Sequence, residues 1–240
     1  MKNLILKILK KLIIFIEENK TQYPIEVSQR VIAHRDAQEL IYTKSGLNTL
    51  SFYNHLKLRE HCIENLPKKG FIFEFGVYKA KSINYFANNL LEKNDHRIVY
   101  GFDSFEGFSE EWSGVNNQYD RKVFNRDGLL PDVKSNVVLI PGFIENTLEK
   151  FINEKSINEV AFIHIDTDTY SPAKHVLSTL KPYLKSGAII LFDELCGYPN
   201  WRNHEFRALS EVFNESEYEY LGFAKSNPKS NLIKAAIRIL

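Results

Sequence analysis

Val160-Ala161-Phe162-Ile163-His164-Ile165-Asp166-Thr167-Asp168 is a β-prone apolar run that stops at a carboxylate. Ala188-Ile189-Ile190-Leu191-Phe192-Asp193-Glu194 is a second stretch of the same kind. Such runs read as buried parallel strands that deliver their acids to the C-terminal edge of a sheet. In open α/β sheets that edge is where ligands bind. Ser171 to Ser186, between the two, has the length and pattern of one crossover helix, so the strands are expected to be neighbours. Asp166, Asp193 and Glu194 then converge at one mouth, and carboxylates gathered together need a cation or a shared proton.

Outward from these strands the same alternation continues. Phe71 to Phe75 reads as a strand, Lys81 to Glu92 as a helix, and Arg97 to Phe102 as a strand. Val137 to Ile140 is the next strand, with a short helix around Asn146 to Asn153 and another helix from about His204 to Phe213. Tyr218 to Ala224 and Leu232 to Ile239, separated by Ser226-Asn227-Pro228-Lys229-Ser230, read as an antiparallel hairpin added to an otherwise parallel sheet. This order predicts an α/β fold with a doubly wound sheet between helix layers. Residues 1–66 read as helical, with breaks near Thr21-Gln22-Tyr23-Pro24 and Lys44-Ser45-Gly46 and an amphipathic helix from Leu50 to Leu66. They are expected to form a cap within the same unit as a main domain over 67–240. Segment 104–136, with Gly107, Gly114, Gly128 and Pro131, is too long for an ordinary connection and reads as a lid or binding loop.

A chain of 240 residues can bury a full core, and 44% hydrophobic with 25% charged residues is ordinary for a globular protein. A net charge of +1 gives no electrostatic reason to expect nucleic acid as a partner. Cys62 and Cys196 form no disulfide or metal framework, which suits a reducing, cytoplasmic location. Met1 to Phe15 mixes Leu and Ile with Lys2, Lys7, Lys10 and Lys11, too interrupted for a stable membrane insertion or a signal peptide. A basic amphipathic helix can lie on an anionic membrane surface. Packing against its own domain or a second subunit is the expectation favoured here, which makes a homo-oligomer through the N-terminal helices a candidate assembly.

Phe73-Glu74-Phe75-Gly76-Val77-Tyr78-Lys79-Ala80-Lys81-Ser82 sits where the first strand of the alternating region turns into a helix. Gly76 permits a tight turn and close approach of a ligand to the backbone. The spacing is not GxGxxG, and Ala80 stands where a second glycine is common, so a dinucleotide pyrophosphate fits poorly. The next strand ends in Tyr100-Gly101-Phe102-Asp103-Ser104-Phe105-Glu106-Gly107, which places Asp103 27 residues beyond Gly76. An acid there can take the hydroxyls of a ribose, or serve only as a turn carboxylate.

Glu74-Phe75-Gly76-Val77-Tyr78, Gly101-Phe102-Asp103-Ser104-Phe105-Glu106-Gly107, His164-Ile165-Asp166-Thr167-Asp168-Thr169-Tyr170 and Phe192-Asp193-Glu194-Leu195, in this order, resemble the macrocin O-methyltransferase family. Its members are class I S-adenosylmethionine-dependent methyltransferases that use Mg²⁺. The resemblance spans roughly residues 68–240 and implies a Rossmann-like class I sheet. It implies that Glu74, Gly76, Val77, Tyr78 and Ser82 hold the methionine part of the cofactor. Asp103, with Ser104 beside it, would hold the ribose, and Gly142 and Phe143 would lie near the adenine. The family's metal carboxylates correspond to Asp166, Asp193 and Glu194, with Asp-Glu here where a relative has two aspartates. Asp166, which would also border the cofactor, is the best-placed residue to be both ligand and proton acceptor.

Asp168 can be a group behind the ligands or a helix cap, and cap is the favoured reading. His164 alternates with core positions and reads as a structural histidine. Cys196-Gly197-Tyr198-Pro199-Asn200-Trp201-Arg202-Asn203-His204-Glu205 follows the second acidic cluster and is expected to overhang the mouth. There Trp201 and Arg202 would grip a sugar ring and a phosphate or carboxylate, and His204 is a candidate general base. Trp112 and Tyr170 are further acceptor-site candidates. The leading reading is methyl transfer from S-adenosylmethionine to a hydroxyl of a small, sugar-like or phosphorylated acceptor. Asp166-Thr167-Asp168 is also a literal DxD, so a metal-dependent glycosyltransferase is the rival enzyme, and a non-catalytic cofactor-binding subunit is the third alternative.

Overall fold

The computed structural model describes residues 25–109, 124–226 and 231–240. The expected break at Thr21 to Pro24 and the helix over Met1 to Phe15 lie outside the described residues, as does most of the 226–230 connection. The chain opens with helix α1 (Ile25–Lys44), strand β1 (Leu50–Phe52) and helix α2 (His55–Glu64). The alternating part follows: β2 (Phe71–Phe75), α3 (Lys81–Glu92), β3 (Val99–Asp103), β4 (Val137–Pro141), α4 (Ile144–Lys155), β5 (Val160–Ile165) and α5 (Tyr170–Leu180). Then come β6 (Leu184–Cys196), α6 (Glu205–Val212), β7 (Tyr218–Lys225) and β8 (Ile233–Ile239). No helix among the described residues is long and apolar enough to cross a membrane.

The eight strands among the described residues form one sheet in the order β1-β7-β8-β6-β5-β2-β3-β4. Only β8 is reversed, pairing antiparallel with both β6 and β7, so the expected hairpin is present. It is not appended at the rim, because β7 pairs in parallel with a further strand, β1. Period-two alternation sorts the sheet's side chains between two helix layers. Phe73, Phe75, Ile163, Ile190 and Phe192 face α4, α5 and α6, whereas Ile72, Phe162, Ile189 and Leu191 face α2 and α3. Central strands are therefore apolar on both faces, and each fully buried Phe or Ile contributes about 1.5–3 kcal/mol.

The one misread element is the helix expected over Leu50 to Leu66. Leu50–Phe52 is a strand instead, and α2 begins at His55, where Asn54 caps it by accepting the Lys57 N–H at 3.0 Å. The strand forms because Gly222 of β7 leaves room for it. A Cβ there would lie 2.7 Å from the Phe52 ring and 2.9 Å from the Leu50 carbonyl oxygen.

Candidate functional site

Strand register builds the site. Phe102 pairs with Phe75, Phe75 with Ile165, and Ile165 with Phe192. The next residue on each strand is therefore level with its neighbours, and Asp103, Gly76, Asp166 and Asp193 form one row across the C-terminal edge. Adjacent strands lie about 4.8 Å apart, so neighbouring side chains in the row are within interaction range. A cleft of about 280 Å³ sits on this row. Val77, Tyr78, Asp103 and Ser104 line one side of it, and Asp166 to Thr169, Asp193 and Glu194 line the other. Phe108, Phe124, Phe143 and Ile144 add apolar wall.

Gly76 has a φ of 87°, and a Cβ on it would come within 1.9 Å of the Asp166 carbonyl oxygen. Sequence reading credited this glycine with room for a ligand; the structure shows that its closest neighbour is the chain itself. The Asp103 carboxylate ties down the same turn. Its Oδ2 accepts the Val77 and Tyr78 N–H groups at 2.7 and 2.8 Å, and its Oδ1 accepts the Phe105 N–H at 2.7 Å. A carboxylate has about four lone-pair sites, so three backbone bonds leave one for a ligand. Tyr78 and Ala80 both adopt left-handed backbone here, with φ of 48° and 57°, which explains why glycine is common where Ala80 stands.

At the other end of the row the charges are uneven. Asp193 is surrounded by cations: Arg59 of α2 donates to Oδ1 at 3.0 Å, and Lys234 of β8 bonds Oδ2. His164 Nε2 lies 3.4 Å from Oδ1 and its Nδ1 lies 2.9 Å from Glu74 Oε2, while Ser82 donates to Glu74 Oε1 at 3.0 Å. Burial works to raise the Asp193 carboxyl, but Lys234, His164 and Arg59 outweigh it and hold it well below the usual range. Burial likewise disfavours a charged His164, yet its bonds to Asp193 and Glu74 raise its pKa.

Asp166, Asp168 and Glu194 form no ion pair with a lysine or arginine among the described residues, and the pull of Lys234 on Asp166 and Glu194 is outweighed. Burial, followed by the charge of Asp193, pushes the Asp166 carboxyl up to about 7. The same two causes, with Asp166 next, push Glu194 up to about 8. Asp168 is raised well above the ordinary carboxyl range by burial, then by Glu194 and Asp166. Glu205 of α6, fully buried, is raised by burial and by Glu194. Glu194 Oε2 and Glu205 Oε1 are buried without a hydrogen-bond partner.

This donor chemistry fits a hard divalent cation. Ligand atoms of His164, Asp166 and Asp193 lie within 4.8 Å of one another, and the unpaired oxygen of Glu194 borders the same cleft. Asp166 and Glu194 offer oxygen that no lysine or arginine pairs with among the described residues, whereas both Asp193 oxygens are paired with protein cations.

Several expected site residues stand elsewhere. Glu74 and Ser82 are buried behind the cleft wall, bonded to His164 and to each other rather than facing the cleft. Gly142 sits at a sharp turn (φ 127°), its N–H donating to the Asp103 carbonyl at 2.9 Å, and Phe143 alone of the pair lines the cleft. Ser104 lines it but spends its hydroxyl on the Gly107 carbonyl and the Glu106 N–H. Asp168 is not the helix cap: Thr169 occupies that position, and Asp168 lines the cleft.

The segment 196–204 folds away from the mouth. His204 is buried, and its Nδ1–H donates to the Asp168 carbonyl at 2.9 Å, so it braces the acidic loop from behind. Trp201 packs edge-on against Phe206, and Arg202 stacks on Trp201 while pairing with Asp36 of α1 at 2.7 Å. Tyr170 bonds Glu211 and Lys174 on the helix surface. None of these four lines the cleft, and Trp112 lies outside the described residues. Arg59, Lys234 and Glu205 were missed. A lysine inside the apolar run Ile233-Lys234-Ala235-Ala236-Ile237 was a readable sign of a buried partner; Arg59 gave no comparable sign.

Residues 73–195 match a family described as a methyltransferase domain. Among solved structures the chain is similar to CalS11, a calicheamicin methyltransferase, at 24% identity and TM-score 0.57, over 76% of each chain. It is also similar to an apo structure of CalS11 described as a TDP-rhamnose 3'-O-methyltransferase of calicheamicin biosynthesis, at 25% identity, TM-score 0.52 and 76% of each chain. An O-methyltransferase from Bacillus cereus in complex with S-adenosylhomocysteine shares the fold over 94% of this chain and 96% of that one, at 11% identity and TM-score 0.51. No curated protein matches the chain in sequence.

Proposed function

The chain belongs to the methyltransferase-domain family, and we propose that it moves a methyl group from S-adenosylmethionine to a hydroxyl of a small sugar-like or phosphorylated acceptor, with a divalent cation such as Mg²⁺. Within that family we group it with the macrocin O-methyltransferases on the four motifs they share. The observation that carries the reading is the row itself: a turn pinned by Asp103 lies one strand away from Asp166, a carboxyl pushed up to about 7. A nucleoside half and a proton acceptor thus share one cleft. The sugar-like acceptor is carried over from the TDP-rhamnose methyltransferase to which the chain is similar.

S-adenosylmethionine supplies an electrophilic methyl on a sulfonium. The free lone pair of Asp103 would take a ribose hydroxyl, and Phe143 with Ile144 would cover the adenine. Asp166 would accept the acceptor's hydroxyl proton while the new O–C bond forms and the C–S bond breaks. A base whose pKa lies near neutrality is suited to that transfer. Asp166 and Glu194 would hold the divalent cation, which supplies positive charge that makes the hydroxyl more acidic. The rest is orientation in a cleft lined by Phe108, Phe124 and Phe143.

Calorimetric titration tests the cofactor: S-adenosylhomocysteine is expected to bind, and UDP is not. A panel of sugar nucleotides and glycosides, assayed for release of S-adenosylhomocysteine with and without EDTA, tests the reaction. Binding of UDP alone would replace this reading with the DxD glycosyltransferase.

A further inference from the structure

We propose that His204 and Glu205 are positioning residues for the cleft. Side by side at the start of α6, they clamp the turn 167–169 and the backbone of Glu194 into the arrangement that turnover requires. This deepens the methyl-transfer reading above and rests on it.

A strained turn forms part of the cleft wall. Thr167, Asp168 and Thr169 all line the cleft. The Thr169 N–H donates to the Thr167 carbonyl at 2.7 Å and closes a three-residue turn with Asp168 at its centre. Asp168 has a φ of 59°, and a three-residue turn with positive φ at its centre is the rare, strained form. Such a conformation persists only where its surroundings over-determine it. His204 supplies that constraint from behind the wall. It is buried, and its Nδ1–H donates to the Asp168 carbonyl at 2.9 Å. The ring is itself held, with Nε2 3.4 Å from the Asn200 amide nitrogen and a T-shaped contact to Tyr198 at 5.7 Å between centroids.

The next residue does the same for the neighbouring strand. β6 pairs with β8 at Phe192–Ala235 and again at Cys196–Ile233, so residues 193–195 face Lys234 alone. Bulges of this kind re-aim side chains next to active sites. Here the bulge takes the Glu194 N–H out of the ladder, and Glu205 Oε2 accepts it at 3.1 Å. Glu205 is fully buried, and its Oε1 has no partner among the described residues. Burying a carboxyl costs more than burying an apolar side chain, so packing alone does not account for an acid at this position. Being adjacent, His204 and Glu205 tie the end of β5 to the bulge of β6 through one helix start. That start is anchored by Phe206 edge-on against Trp201 and by the buried Ala208 and Leu209. In the reaction proposed above, Asp166 and Glu194 act on one acceptor hydroxyl, and a misplacement of about 1 Å can cost about a hundredfold in rate.

The test uses the full chain and pairs a variant that keeps each bond with one that cannot make it. His204→Asn retains a donor near the Nδ1 position, and Glu205→Gln retains an acceptor for the Glu194 N–H; His204→Leu and Glu205→Met remove them. Turnover is measured on the member of the sugar-nucleotide and glycoside panel that the parent methylates fastest, and S-adenosylhomocysteine affinity checks folding. His204→Leu and Glu205→Met are expected to lower kcat about tenfold or more at saturating acceptor, with S-adenosylhomocysteine affinity within about threefold of the parent. His204→Asn and Glu205→Gln are expected to recover kcat to within about fivefold of the parent. Amide hydrogen exchange, read without acceptor, is expected to quicken at Thr169 in His204→Leu and at Glu194 in Glu205→Met. Parent-like kcat in His204→Leu or Glu205→Met overturns the proposal. If His204→Asn falls as far as His204→Leu, the imidazole moves a proton instead of holding a turn; if Glu205→Gln falls with Glu205→Met, the charge matters instead of the bond. Either result overturns the proposal, as does loss of S-adenosylhomocysteine affinity along with turnover. A parent that methylates nothing on the panel sinks the methyl-transfer reading and the positioning role with it, whereas unchanged exchange at both amides sinks the clamp alone.

Discussion

Asp103 and Asp166 end strands that flank β2, and both follow an apolar run, yet they do opposite work. Asp103 accepts three backbone N–H groups and fixes the turn after β2. Asp166, on the other side of Gly76, accompanies carboxyls that lack cations and is itself raised to about 7. The difference teaches that a carboxylate at the ligand edge of a sheet is defined by its partners. Where backbone donors converge it is architecture; where like charges converge it is chemistry. Asp193 carries the contrast further, since one strand beyond Asp166 it is again satisfied, this time by Arg59, His164 and Lys234.

The contrast breaks most sharply at Asp166. Replacing it with Ala is expected to lower turnover at least about a thousandfold, roughly 4 kcal/mol of barrier, while S-adenosylhomocysteine affinity changes less than threefold. Steady-state kinetics with calorimetry checks this, and normal turnover would remove Asp166 from the chemistry. Gly76→Ala comes next, because its methyl has no room beside the Asp166 carbonyl and the backbone is left-handed. It is expected to cost about 3 kcal/mol in chemical denaturation, and an unchanged midpoint would show that the two strand ends are not in contact. Asp103→Asn is expected to reverse the Asp166 pattern. It should lose about 2 kcal/mol of stability as a charge-assisted acceptor disappears, with cofactor affinity falling before turnover at saturation.

The mildest test is pH. Asp166 and Glu194 start from ordinary values of 3.8 and 4.5 and are raised to about 7 and about 8 in the fold. Between about pH 4 and 8 the folded state therefore binds more protons than the unfolded chain, so stability falls as pH rises through that window and levels off above it. Asp193, held low, adds its contribution above pH 3.8 and loses it only in stronger acid. Calorimetry in EDTA is expected to show Tm falling steadily from pH 5 to 8, and Mg²⁺ is expected to flatten the slope. A Tm that rises over this range would mean that the acidic side of the row is as well compensated as the Asp103 side.

Most strands and helices were legible because their signals are local. Phe71–Phe75, Lys81–Glu92 and Val160–Ile165 fall where the apolar period put them. The strand Leu50–Phe52 was not, because three residues carry no period and their pairing depends on Gly222, some 170 residues away. The row of Asp103, Asp166 and Asp193 was foreseeable, since parallel strands that end in acids share an edge. The roles of His204, Trp201 and Arg202 were not. Chain proximity to Glu194 suggested an overhang, while burial against Asp168, Phe206 and Asp36 turned all three elsewhere.

The sequence by itself determined the parallel sheet, the glycine turn and which strand ends carry acids, because periodicity and backbone conformation act over neighbouring residues. Tertiary structure alone decided which of those acids are compensated. The cations that settle the matter, Arg59 and Lys234, reach Asp193 from 134 and 41 residues away in the chain, and a charge's meaning depends on what faces it in space.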